Sequence, residues 1–523
     1  MEIFRFINLT IFYYFSVKKF SYILCFSFLL LLLYININNI NVSAQQQFRW
    51  TPDERVPGYL DDTFTPYLFA DQDRTVHAFA NQWVGEANKQ LAIVYRQWSL
   101  DGGWTNPVDV LLSPVGDARI IGAFLSQDGM MHVAFWGGDD QKADIFYSKA
   151  PAANAGRAPV WSTPVLVGEN PDFPPSGALA GDDKGNLVIL FSGNIDGNGI
   201  FEVHSSDGGD SWSIPEPVFL TDNPGLIPYS VNVYMSQAGQ LHAVWNVVTS
   251  TGEDMAMYYA RLDIAHQQWS DPVLLDKRIE KEGFFGPSFP VIVDNGNTLV
   301  VMYNSGNLSS SGTVAAGRPV MMVRQSHDGG NTWSNPTVPF PRHLGRSGEH
   351  SLVVDSDNVV HAIFMQRIEL TVNGKYTVID GPWHSELRNN QWSEPQRFST
   401  KWSPHDMRAV ISQGNILLAA WRADPGVGQY GVWYSYKSLD SQELPVVPLP
   451  LAPTLSVSIP QPTSTPINVN PQPSPESLLI NQNEVSPGYS NNPASPLILG
   501  IAPVVLILVG VIFVQRLSLL RRK

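Results

Sequence analysis

The sequence predicts an all-β protein, a β-propeller of four-stranded blades. Three observations lead there. Strand-like phrases recur in tandem, no amphipathic helix interrupts them, and one nine-residue turn occurs twice in nearly the same letters, "SSDGGDSWS" at Ser205–Ser213 and "SHDGGNTWS" at Ser326–Ser334.

In chain order, the first element is an address. "VKKFSYILCFSFLLLLLY" (Val17–Tyr34) sets two lysines before an apolar run, and Val42-Ser43-Ala44 offers small residues for cleavage. Residues 1–44 therefore read as a secretory signal, or else as an uncleaved N-terminal anchor. The only cysteine, Cys25, lies inside this segment, so the remaining body has no disulfide and is held by packing.

Residues 45–440 carry the repeats. Trp followed by Ser or Thr and then by Pro recurs at Trp104, Trp161, Trp212, Trp269, Trp333 and Trp392, spaced from 51 residues (Trp161 to Trp212) to 64 (Trp269 to Trp333). A second phrase occurs seven times: "TVHAFA", "MMHVAFW", "NLVILF", "QLHAVW", "TLVVMY", "VVHAIF" and "ILLAAW". A third, such as "LAIVYRQWS" or "MAMYYAR", precedes most of the tryptophans. All are short β-branched and aromatic runs bounded by Gly, Asp, Asn or Pro, which is how strands read. A unit of four such strands buries its faces only by stacking on its neighbours. The count gives seven blades, with six as the alternative. The last unit, ending in "GVWYSYKSLD", lacks its own Trp-Ser-x-Pro strand, and "FRWTPDERV" at Phe48–Val56 supplies one. The N-terminal strand is thus expected to complete the last blade and close the ring, leaving no open edge.

Residues 441–495 are rich in Pro, Ser, Thr and Asn and poor in aromatics, which predicts a disordered stalk. "PLILGIAPVVLILVGVIFVQ" (496–515) is long and apolar enough to span a bilayer, and the basic tail 516–523 belongs on the cytoplasmic side. The expected location is a cell membrane, crossed once, with the propeller outside. A formal net charge of −14 argues against a nucleic-acid partner.

Ser-x-Asp-Gly-Gly-x-Ser/Thr-Trp, complete at Ser205–Trp212 and Ser326–Trp333 and shortened at "SLDGGW" (Ser99–Trp104), is similar to the Asp box of the sialidase (neuraminidase) superfamily and other BNR-repeat propellers. The resemblance covers about Phe48–Asp440 and implies a glycan-directed surface protein whose ligand sits over the central axis, with the boxes on the far side. Their role reads as architectural: Asp207 and Asp328 accept backbone N–H bonds, the glycines allow positive φ, and Trp212 and Trp333 fill space between blades. The family's Phe-Arg-Ile-Pro motif is not matched, since "TFTP" places Phe64 where that Arg would stand. "RVP" at Arg55–Pro57 falls in the closing strand, and none of the family's catalytic residues carries over one by one.

His77, His132, His242 and His361 occupy one column of the repeat, and a residue used by four blades is structural. "NIDGNG" (Asn194–Gly199) begins like a calcium loop but lacks the later carboxylate. No cofactor and no metal are assigned.

Aligning the units on the second phrase brings the starts of the inner strands into register. Most are bland. Glu349 and His350 in one unit, and His405, Asp406 and Arg408 in the next, are not, and Arg119, Tyr229 and Asn232 lie elsewhere on the ring. Glu349 and Asp406 are the candidate catalytic pair, acting as acid and as base or nucleophile on a glycosidic bond. Arg119, Arg408, His350, His405, Tyr229 and Asn232 are the candidate substrate-binding residues, with the arginines suited to a substrate carboxylate. Two functions are open: a surface glycoside hydrolase of diverged sialidase type, or a non-catalytic propeller binding a carbohydrate, a glycoconjugate or a surface protein at the same place.

Overall fold

The computed structural model describes residues 49–450, apart from 86–88, 140–142, 170–175, 237, 280–284, 307–318, 344–347, 373, 402–403 and 424–430. The expected signal segment, the stalk beyond residue 450 and the C-terminal apolar segment lie outside these residues. Among the described residues no helix is long and apolar enough to cross a membrane.

The described residues form seven antiparallel sheets. The strand nearest the axis is, from blade one to blade seven, Tyr67–Ala70, Asp117–Leu125, Gly177–Gly181, Leu226–Met235, Ser288–Asp294, Ser351–Val354 and Pro404–Ser412. Each touches the next, and the seventh touches the first, so the ring is closed with seven blades and not six. The second phrase of every unit is the second strand, buried on both faces because blades cover it from either side. Its apolar residues are packed between blades, Trp245 and Trp421 almost wholly enclosed among them, and Trp98 on the third strand of blade one is as deeply set.

Closure follows the expected route. Glu54–Arg55 pairs antiparallel with Gly431–Ser438, with Glu54 opposite Tyr434. Thr51 N–H donates to the Tyr436 carbonyl and Val56 N–H to that of Val432, each at 2.9 Å. Blade five departs from the pattern: its outer edge shrinks to a single bridge between Val323 and Thr337.

The connectivity defines two faces. Inner strands begin on the upper face, where the hairpins joining second to third strands also lie. Turns from inner to second strand, and from third to outer strand, lie on the lower face. Both nine-residue turns are therefore on the lower face. In the first, Asp207 Oδ1 accepts the N–H groups of Asp210 (3.1 Å) and Ser211 (2.9 Å). Asp328 Oδ1 repeats this with Thr332 at 2.8 Å. Hydrogen bonds from the turn hold both carboxyl groups well below the usual range. Trp212 meets Tyr147 of the preceding blade edge to face at 4.8 Å, and Trp333 meets Tyr259 at 5.0 Å. The turns are latches between blades.

The histidine column is structural too. His77, His132 and His242 each place Nδ1 against a tyrosine hydroxyl on the third strand, at 2.7 Å (Tyr95), 2.6 Å (Tyr147) and 2.8 Å (Tyr259). In blade six His361 meets His384 instead, at 3.0 Å.

Past the last strand, Ser441–Pro450 stays with the ring. Leu444 N–H donates to the Gln413 carbonyl at 2.8 Å and Val447 N–H to that of Gln72 at 2.9 Å. Glu443 pairs with Arg74, and Leu449 joins the core between blades one and two. The first ten residues of the segment expected to be stalk are thus a strap across the lower face.

Candidate functional site on the propeller axis

Irregular backbone builds the upper end of the axis. The inner strands of blades two, four, five and seven each carry a bulge near their start, between Ile120 and Gly122, Tyr229 and Asn232, Ser288 and Val291, and His405 and Arg408. Inside three of them a residue other than glycine takes a left-handed conformation: Ser230 (φ 49°), Phe289 (φ 50°) and Asp406 (φ 50°). Such a conformation costs about 1–2 kcal/mol per residue and re-aims the side chains beside it. Side chains of the preceding blade hold it in place. Asn81 Oδ1 accepts the Ile120 N–H (3.1 Å), Ser176 Oγ that of Val231 (3.0 Å), Asn232 Oδ1 that of Ile292 (3.0 Å), and Ser351 Oγ that of Ala409 (3.1 Å).

The bulges surround an axial cavity of about 520 Å³. Glu349, Asp406, Arg119, Arg408, His350, Tyr229 and Asn232 all line it, so seven of the eight residues singled out in the sequence share one space. His405 does not line it; its neighbour across the strands is Arg422. Glu349 forms an ion pair with Arg408, and Asp406 lies 3.9 Å from the Arg422 guanidinium. Each carboxylate of the pair thus has its own arginine. Arg119 stands over the rings of Phe64 (5.1 Å) and Trp136 (4.9 Å), a cation–π arrangement on the cavity wall.

Two of the seven are already committed within the protein. His350 is 2% exposed and sets its ring nitrogens against the carbonyls of Met302 (3.0 Å) and Gly348 (3.3 Å). Burial pushes its pKa down to about 4, so the ring is neutral and holds blade six to blade five. Asn232 already accepts the Ile292 N–H of the next blade. Glu349 is half-buried, with about a third of its side chain accessible. Burial raises its pKa, the Arg408 charge opposes that rise, and Asp406 adds to it.

Trp136 and Phe289 also line the cavity, and Arg422 stands beside Asp406, although the sequence pattern singles out none of the three. Arg422 and Trp136 stand opposite His405 and Arg119, late in their second strands. A polar residue closing an otherwise apolar second strand was the available signal for Arg422. Phe289 had none, because nothing in its letters announces a left-handed backbone.

No protein-family model matches the chain, and no curated protein sequence matches it. Among solved structures it is similar to a protein of unknown function from Dyadobacter fermentans, at 14% identity and a TM-score of 0.43, covering 75% of this chain and 99% of that one. It is also similar to an ulvan lyase, a polysaccharide lyase, at 11% identity and a TM-score of 0.49, over 75% and 96% of the two chains. The likeness to an α-L-arabinanase from Penicillium chrysogenum is 13% in identity and 0.43 in TM-score, over 74% and 98%.

Proposed function

We propose that this chain is a carbohydrate-active propeller that holds a glycan in the axial cavity and cleaves a glycosidic bond there, as a diverged relative of the sialidases. The observation that carries the reading is the meeting of Glu349 and Asp406, from adjacent inner strands, on the wall of one cavity beside arginines and aromatic rings. Glu349, its pKa raised by burial, is suited to donate a proton to the leaving oxygen. Asp406, aimed by its strained backbone, is the base or nucleophile, and the separation of the pair in the bound state selects inversion or retention. Tyr229, 37% exposed, offers a ring face for a sugar.

An acidic sugar fits this site best. Arg119 stands over Phe64, so the neighbouring blade brings a guanidinium to the place where the resemblance asks for an arginine. Protonation of Glu349 weakens its hold on Arg408 and frees those donors for a substrate carboxylate. The expected signal and apolar C-terminal segments put this activity on the outer surface of a cell, where the product stays nearby.

One observation favours a second reading, a binding propeller without turnover: both carboxylates are already bridged by arginines. Release of fluorophore from a panel of aryl glycosides, a sialoside among them, separates the two. For a hydrolase, Glu349→Gln and Asp406→Asn each lower the rate by about 10²–10⁴-fold. A folded wild-type protein that binds glycans but releases nothing from any substrate is a binder.

A further inference from the structure

Blade six breaks the repeat on the lower face, away from the axial cavity. In blades one, two and four the column histidine faces a tyrosine, and the residue opposite it across the strands is Gln97, Lys149 or Arg261. In blade six both positions change together: His384 takes the place of the tyrosine and Glu386 that of the opposite residue. The result is two imidazoles and a carboxylate, with His361 and His384 buried and Glu386 partly so.

We infer that His361, His384 and Glu386 form a binding site for a divalent cation of the zinc class. His361 Nδ1 lies 3.0 Å from His384 Nε2, and Glu386 Oε1 lies 3.9 Å from each of them. Ligand atoms about 2.0–2.2 Å from a tetrahedral zinc stand roughly 3.3–3.6 Å apart, so shifts of a few tenths of an ångström admit the ion. Asp355 Oδ2 sits 3.1 Å from His361 Nε2. That carboxylate accepts the Nε2–H and leaves the Nδ1 lone pair facing the cluster, the usual support behind a metal-bound histidine. Two imidazoles and one carboxylate suit zinc, with a fourth position left for water. Arg388 holds Oε2 of Glu386 at 3.1 Å and leaves Oε1 for the ion. Lys437 Nζ, 3.2 Å from Oε1, comes from blade seven on a long side chain and is the group that the ion displaces.

The location gives the ion a structural task. Trp50, beside the closing strand, meets His384 in a T-shaped contact at 5.4 Å, and Lys437 comes from the blade that this strand completes. A cation here fixes blade six beside the blade that the closing strand completes.

The test uses the purified protein stripped with a chelator and given zinc chloride. Elemental analysis after gel filtration is expected to find one zinc per chain, with a rise in Tm that chelator reverses. His384→Tyr restores the pattern of the other blades, so it folds, and it is expected to lose both the zinc and the zinc-dependent rise. Lys437→Met removes the competing ammonium and binds zinc more tightly. A wild-type protein that retains no zinc and shows no change in Tm overturns the inference, as does an equal response in His384→Tyr. Weaker binding by Lys437→Met counts against the ion taking the ammonium's place.

Discussion

Gly208 and Gly209 are neighbours in the first nine-residue turn, and a methyl group has different consequences at each. Both have positive φ, 68° and 82°. A Cβ on Gly208 meets nothing within 4 Å, whereas on Gly209 it falls 2.0 Å from the Tyr147 hydroxyl. That hydroxyl is already fixed by His132 and cannot retreat freely. Gly208→Ala is therefore expected to cost only the backbone strain, about 1–2 kcal/mol, and Gly209→Ala about 1–3 kcal/mol more through the collision. Urea denaturation of the two variants checks the order, and equal midpoints would show that the turn does not bear on the neighbouring blade. Gly330, with Tyr259 at the same 2.0 Å, offers an independent second copy. Some of this was readable in the letters, since Asp and paired Gly in a short turn point to carboxylate-capped positive φ. The contact with Tyr147 was not, because it crosses 62 positions of sequence, from 147 to 209.

At the scale of the strand, the histidine column shows what a repeat reveals. Use by four blades predicts a structural role, and its hydrogen bonds bear this out. Burial holds His132 and His242 near a pKa of about 4, against the ordinary 6.5. Because the folded value lies below the unfolded one, the stability each contributes is complete above pH 6.5 and lost as the pH falls toward 4. Half-buried Asp254, raised to about 6, works in the opposite direction, so wild-type stability alone does not isolate the effect. The gap between wild type and His242→Phe does: it is expected to narrow from pH 7 to pH 4 in urea titrations. A gap constant over that range would mean that His242 titrates alike in both states. The same repeat made the seven second strands and the closing strand legible. It hid the bulges and the collapsed edge of blade five, which depend on how neighbouring blades fill space. Glu349 and Asp406 stood out as charges on otherwise bland strand starts, but the arginine that neutralises Asp406 lies on a different strand.

At the scale of the whole ring, two devices tie the first and last described segments to the blades, and they act on different parts. The closing strand at Glu54–Arg55 seals blade seven at its outer edge, where unpaired N–H and C=O groups would otherwise face water. The strap Ser441–Pro450 runs over turns of blades six, seven, one and two: Ser356 Oγ bonds the Gln442 carbonyl, Leu444 meets Gln413, Val447 meets Gln72 and Pro450 lies beside Gly129. Its sequence predicts stalk because a Pro-rich run shows no strand period. Extended chain of that kind can still dock through isolated backbone bonds while leaving side chains half exposed, as Leu444 (48%) and Val447 (51%) are. Each such bond adds about 0.5–1.5 kcal/mol net, and in a ring this large the sum moves the melting point by degrees, not tens of degrees. A chain ending at Asp440 is therefore expected to fold, to melt measurably below one ending at Pro450, and to be cut sooner by protease at the junction of blades seven and one. The axial cavity lies on the other face, so glycan binding should be the same in both. Identical melting points would mean that the closing strand alone holds the ring. Lost binding in the shorter chain would mean that the strap's grip reaches through the inner strands to the bulges at their upper ends.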